Sequence, residues 1–343
     1  MLSRFRLREA TVSALGVVVT VVTVVVLVSS SAAVASAETE SSIVAVDGAG
    51  ARRDVVQVHS AAMDRDITID VFRAEVRGAP TLYLLNGAAG GDGGSSWFDQ
   101  TDVAGFFGDK NVNVVVPRGG AASYYTDWLN DDPVLGRNKW STFLGLELPP
   151  LMNELLGGNG INSVAGISMA GTSVLQLVIA HPSVYRSVAS FSGCARTSDP
   201  VGAMYVRSVV EARGGGSTAN MWGPPGSDGW AANDPYVHAE GLRGTAVYIS
   251  SGTGAPGAFD VPGGPGIGSD YGKLAQQLAV GAVIEATTDN CSRQMQQRLQ
   301  ELDIAATYNF RPTGTHSWAY WEQDLHDAWS VIAPSMGLPT GTR

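Results

Sequence analysis

Short apolar runs recur along this chain, each followed by a stretch of helical character, and that alternation narrows the fold more than any other feature. Thr81–Leu85 and Val112–Val116 are almost wholly apolar, as strands covered on both faces must be. Val164–Gly166, Val188–Phe191, Thr245–Ile249 and Ala306–Phe310 repeat the signal. Thr142–Leu156, Thr172–Ala180 and most of Lys273–Leu302 read as helix, and an amphipathic helix over Trp318–Ile332 ends the series. Strands alternating with helices predict an α/β architecture, a mostly parallel central sheet with helices on both faces, in a single domain. Ahead of it, Val55–Val58 and Asp66–Val71 are expected to pair antiparallel, the second alternating apolar and polar residues.

The first residues belong to a different category. Arg4, Arg6 and Arg8 precede an apolar stretch from Ala14 to Leu27, and Ala35-Ser36-Ala37 forms a small-residue cleavage site. That is the layout of a secretory signal peptide, so residues 1–37 are read as a leader and 38–343 as the domain. Secretion, or residence in the cell envelope, follows from it. Cys194 and Cys291 are the two cysteines, and in an oxidising compartment they are expected to pair. The chain carries a net charge of −10, and no Lys/Arg cluster survives beyond the leader. This argues against nucleic acid and anionic membrane partners. No pattern of metal ligands is present, and no cofactor is expected. Gly252–Gly257 satisfies a dinucleotide-binding glycine pattern, but Pro256, Pro262 and Pro265 forbid the helix that such a site needs. The stretch 252–268 reads as a loop over the carboxyl edge of the sheet.

Chemistry enters with GISMAGTS, residues 166–173, set between an apolar run and a helix. A serine on a tight strand-to-helix turn between small residues is the nucleophile arrangement of the α/β-hydrolase fold. Gly166 fills the position two before Ser168, whereas Ala170 stands two after it, where glycine is usual. The base of such a site follows the nucleophile in the chain. Among five histidines, His316 alone follows a strand directly. The acid should lie beyond the Thr245–Ile249 strand, where Asp260, Asp270, Glu285 and Asp289 all qualify, and spacing does not choose among them. Two backbone N–H groups must face the oxyanion: Met169, immediately after the serine, and Ala88 in the Asn86–Gly91 loop fit.

Several stretches together, LYLLNG, SYYTDW, KWSTFLGLELP, GISMAG, MWGP, NDP and GTHSW, are similar to the antigen 85 mycolyltransferases of mycolate-containing actinobacteria, from about Arg65 to Leu325. The resemblance implies a secreted serine acyltransferase with Ser168 as nucleophile, His316 as base and Glu285 as acid. It places Met169 and Ala88 at the oxyanion and Asn86, Ser317 and Trp318 at the substrate. It also implies transfer of a long mycolyl chain from a trehalose ester to an envelope hydroxyl, with lipid or glycolipid donors as partners. Asn86 and Ala89 depart from the family, which has an aspartate and an arginine there to grip trehalose. Losing both charges removes charge-assisted hydrogen bonds to sugar hydroxyls, so the acyl-enzyme half of the reaction is implied more firmly than trehalose as acceptor. A secreted carboxylesterase and a non-catalytic binding relative are the alternatives.

Overall fold

The computed structural model describes residues 40–341. The leader and cleavage site read in residues 1–37 lie outside the described residues. Nine strands form one sheet: β1 (Ser42–Gly50), β2 (Arg53–Ser60), β3 (Arg65–Phe72), β4 (Thr81–Leu85), β5 (Asn113–Pro117), β6 (Asn162–Ile167), β7 (Tyr185–Phe191), β8 (Ala246–Gly252) and β9 (Thr307–Arg311). Their spatial order is β1-β2-β3-β5-β4-β6-β7-β8-β9. The first three strands are antiparallel, and β3 also runs antiparallel to β5; from β5 through β9 every pairing is parallel. The expected opening pair is β2 with β3, in a register that sets Val58 opposite Ile67 and Val56 opposite Ile69. Strand β1 was not among the expected strands: its apolar run, 43–46, is short, and the strand is largely exposed.

The two-residue period of the central strands feeds two cores, one on each face. Tyr83 and Leu85 point into a cluster shared with the helix Met169–Ala180, and Leu82 and Leu84 into one shared with Trp97, Phe107 and Trp329. Both faces are therefore covered, as the unbroken apolar character of these strands requires. Thr142–Leu156 and Lys273–Leu302, expected as plain helices, are each interrupted by a π turn, at Phe143–Glu147 and Gln277–Gly281. The stretch 252–268 is a loop, as expected; helix resumes only at Tyr271–Gln276.

Two connections fix the carboxyl edge. Cys194 and Cys291 are bonded, tying the segment after β7 to the helix Ala282–Glu301 across 97 residues of chain. The loop after β8 clasps the turn after β9: Gly254 N–H donates to the Gly314 carbonyl, and Gly314 N–H to that of Ala255. Closing a loop of that length removes unfolded-state entropy worth about 4–5 kcal/mol in a chain-entropy account. Cys291→Ser should accordingly lower the unfolding free energy by about 2–5 kcal/mol in denaturant titration. An unchanged midpoint would mean that the bridge restrains nothing the rest of the fold does not already hold.

Candidate active site

Ser168 stands where β6 gives way to the helix Met169–Ala180, with φ 56° and ψ −122°. A side-chain-bearing residue held in that region costs about 1–3 kcal/mol, and only tight surroundings keep it there. A Cβ on Gly166 would lie 2.7 Å from the Ala170 carbonyl oxygen, and one on Gly171 2.8 Å from the Phe191 carbonyl oxygen. Glycine is therefore demanded at 166 and 171, while Ala170 fits, fully buried. This explains the departure from the usual motif: the close approach to the β7 exit falls one residue later.

His316 Nε2 lies 2.8 Å from Ser168 Oγ, and His316 Nδ1 lies 2.8 Å from Glu285 Oε2. Of the four carboxylates open to the sequence, tertiary structure brings Glu285 to the histidine and gives the others different partners. Asp260 accepts from Thr315, Gln277, Tyr320 and the Gly257 N–H, bracing the loop 252–268 against the histidine's turn. Burial pushes its pKa up, but those hydrogen bonds together hold it below the ordinary aspartate value. Asp270 caps the helix Tyr271–Gln276, and Asp289 accepts from Ser251 and pairs with Arg293.

Glu285 is fully buried. Its Oε1 accepts from the Gly252 N–H (2.6 Å), from Ser192 Oγ (2.8 Å) and from Arg311 (3.4 Å). One turn earlier the Gly281 carbonyl, at the end of the π turn, accepts the His316 N–H at 3.2 Å. A single helical segment thus holds both the imidazole and its backbone. Trp321 meets the imidazole edge-on with ring centres 4.8 Å apart and donates its indole N–H to Ser192 Oγ. Ser192, Arg311, Trp321 and Asp324 were missed by the sequence reading. The only available hint was that Ser192 and Arg311 fall at the carboxyl ends of strands, where such sheets build their sites.

The loop after β4 packs directly on the serine: a Cβ on Gly87 would sit 3.5 Å from Ser168 Cβ. Its turn closes through Gly90 N–H to the Gly87 carbonyl and is moored by Ala122 N–H donating to the Ala88 carbonyl. Among the described residues no acceptor takes the Ala88 N–H, and Met169, as first residue of its helix, has none within the helix. Both donors are therefore available beside Ser168. Asn86 requires a correction. It was expected at the substrate, yet it is fully buried, its amide donating to the Pro117 carbonyl and accepting the Trp97 N–H. Those bonds hold the loop, and the residue is absent from the lining of the cleft over Ser168. Ser317 and Trp318 do line the cleft over Ser168, a space of ≈ 440 Å³ that also has Ile167, Val280, Ile284 and Trp321 in its walls. Ser317 Oγ has no hydrogen-bond partner among the described residues.

This sheet and this serine–histidine–carboxylate line are those of an α/β serine hydrolase. Residues 60–331 match the family model described as "Putative esterase". Diacylglycerol acyltransferase/mycolyltransferase Ag85A of Mycobacterium leprae is 32% identical over 297 residues, covering 84% of each chain. Mycobacterium tuberculosis MPT51 (FbpC1) superposes with a TM-score of 0.69 at 26% identity, covering 84% of this chain and 100% of that one. A fluorophosphonate-binding serine hydrolase of Staphylococcus aureus shares the fold, with a TM-score of 0.58 at 15% identity over 83% and 99% of the two chains. The chain belongs to the esterase family, alongside its antigen 85 acyltransferase/mycolyltransferase members.

Beneath the site Arg311 bridges Glu285 and Asp324, both fully buried. Burial raises the Asp324 pKa from 3.8 to about 7 despite the guanidinium beside it, with Glu285 adding to the rise. The folded chain then keeps a proton that the unfolded chain has released. This group's stabilisation is complete below pH 3.8 and is lost as pH rises through about 7. Asp324→Asn should flatten the fall in unfolding free energy between about pH 4 and about pH 8, read from denaturant titrations at both ends. An identical slope in the two proteins would show that Asp324 titrates normally.

Proposed function

We propose that this chain is a secreted serine acyltransferase working through an acyl-enzyme, and one observation carries the proposal: the unbroken line from Ser168 Oγ through His316 to Glu285, each step 2.8 Å, at the floor of a cleft. Ser168 attacks the acyl carbonyl while His316 Nε2 takes its proton. Glu285 holds the Nδ1–H and stabilises the imidazolium that forms. The tetrahedral oxyanion is held by the Met169 and Ala88 N–H groups, donors already placed before charge develops. Collapse expels the donor alcohol, which recovers the proton from His316 and leaves an ester on Ser168. An acceptor hydroxyl then attacks that ester through the same steps in reverse. Kinship with the antigen 85 proteins supports a long mycolyl chain taken from a trehalose ester and passed to an envelope hydroxyl. The leader read in residues 1–37 supports export. No metal or cofactor is needed for any step.

Hydrolysis is the second reading, a secreted carboxylesterase in which water replaces the acceptor. The buried Asn86 and the uncharged Ala89 favour it, since neither offers a charged grip on a sugar at this loop. The intact relay speaks against a purely binding role.

Wild-type protein should react with a fluorophosphonate probe and Ser168→Ala should not; an unlabelled wild type would end the enzyme reading. Glu285→Gln should still bind substrate but lose about 10³- to 10⁴-fold in kcat, because the imidazole loses its orienting partner. A mycolyl donor incubated with and without trehalose separates the two readings. Transfer yields a new ester, whereas free acid alone in both tubes would leave hydrolysis.

A further inference from the structure

We infer that the alcohol part of the substrate carries an anionic oxygen group, of the phosphate or carboxylate type, held by Arg213 and Lys273. This rests on the reading of the Ser168 cleft as the reaction site.

Acidic residues outnumber Lys and Arg in this chain, 32 to 22. The lining of the cleft reverses that balance: it includes Arg213 and Lys273, and no Asp or Glu among the described residues. Elsewhere cations are mostly committed. Arg53 and Arg118 pair with Asp70, Arg73 with Asp54, and Arg311 with Glu285 and Asp324. Arg213 and Lys273 have no ion pair, side-chain hydrogen bond or aromatic stack among the described residues. An exposed cation without a partner is ordinary. Two of them, from separate parts of the chain, both lining the cleft that contains Ser168 is not. Arg213 ends the π turn Ser208–Arg213, and Lys273 belongs to the helix Tyr271–Gln276. The Lys273 amine lies 4.0 Å from the Cβ position of Gly266, itself part of the cleft wall.

The two cations have no use for an acyl chain, which Ile167, Val280, Ile284, Trp318 and Trp321 can accommodate. They suit the opposite end of the ester. A guanidinium offers a planar fork and an ammonium a mobile point charge, a combination that matches a phosphate or carboxylate better than neutral hydroxyls. Leaving alcohol and accepting alcohol occupy the same place by microscopic reversibility, so the charged group can arrive on either. In a protein of net charge −10 this is also a local field that draws anions to a surface otherwise repelling them.

The test has two arms. With a 4-nitrophenyl ester as donor, glucose and glucose 6-phosphate are compared as acceptors by mass spectrometry of the new ester. A monoacylglycerol and its phosphate monoester are then compared as donors by acyl release. The charged member should show a KM about five- to tenfold lower in at least one arm, and the arm identifies which alcohol bears the charge. That ratio, taken within each protein so that any general loss cancels, should fall towards one in Arg213→Gln/Lys273→Gln and in roughly 1 M salt. Equal KM values in both arms of the wild type, or a preference that persists in the double variant, would overturn the inference. Fluorophosphonate labelling runs alongside. Labelled protein without the preference loses only the anionic substrate; unlabelled wild type loses the reading of the cleft and this inference with it.

Discussion

One buried carboxylate holds the carboxyl edge of the sheet together. Glu285 accepts from the last residue of β8, from the serine just past β7, from the last residue of β9 and from the imidazole of the turn that follows. A carboxylate removed from water costs several kcal/mol unless its lone pairs are filled, and here every direction is taken. That demand is geometric. Strand ends that met Glu285 only loosely would leave charge unsolvated, so the need to satisfy it also sets where His316 stands. The order that makes the fold stable at this edge is the order that aims an imidazole at Ser168.

Ser168 depends on the opposite kind of constraint, an absence of side chains. The helix after Ser168 approaches the β7 exit so closely that Cβ atoms at 166, 171 or 193 would meet backbone or neighbouring side chains at about 2.5–2.9 Å. Strain at Ser168 persists because the glycines let three backbone segments crowd around it. The cleft above combines apolar residues with two cations unpaired among the described residues, while Asp260 accepts from Thr315 and Tyr320, and Asp289 from Ser251.

The strands and most helices were readable because each leaves a period in the sequence that one core or the other must bury. Strand β1 left only the short run 43–46, since an edge strand held by backbone bonds needs little apolar surface. The π turns that interrupt the two expected helices were hidden for a related reason: an extra residue in a turn alters hydrogen bonding without erasing apolar character. Ser168 and His316 were legible through local context and chain order, and the two available cysteines allowed one bridge. The carboxylate that meets His316 was not legible from spacing, and Asn86 was misread. Both depend on which side of a packed wall a side chain faces, and Asn86 turns its amide into the wall, onto Pro117 and Trp97.

By itself the sequence determined the alternating architecture, the strained serine turn and the histidine that follows the last strand, because each is written in residues close together along the chain. Only tertiary structure decided that Glu285 rather than Asp260, Asp270 or Asp289 meets the imidazole, that Ser192 and Arg311 support it, and that Arg213 and Lys273 share one cleft. The contacts around Glu285 join residues from 26 to 93 positions apart. Nothing local encodes them. They follow from the twist and order of the sheet that brings the strand ends together.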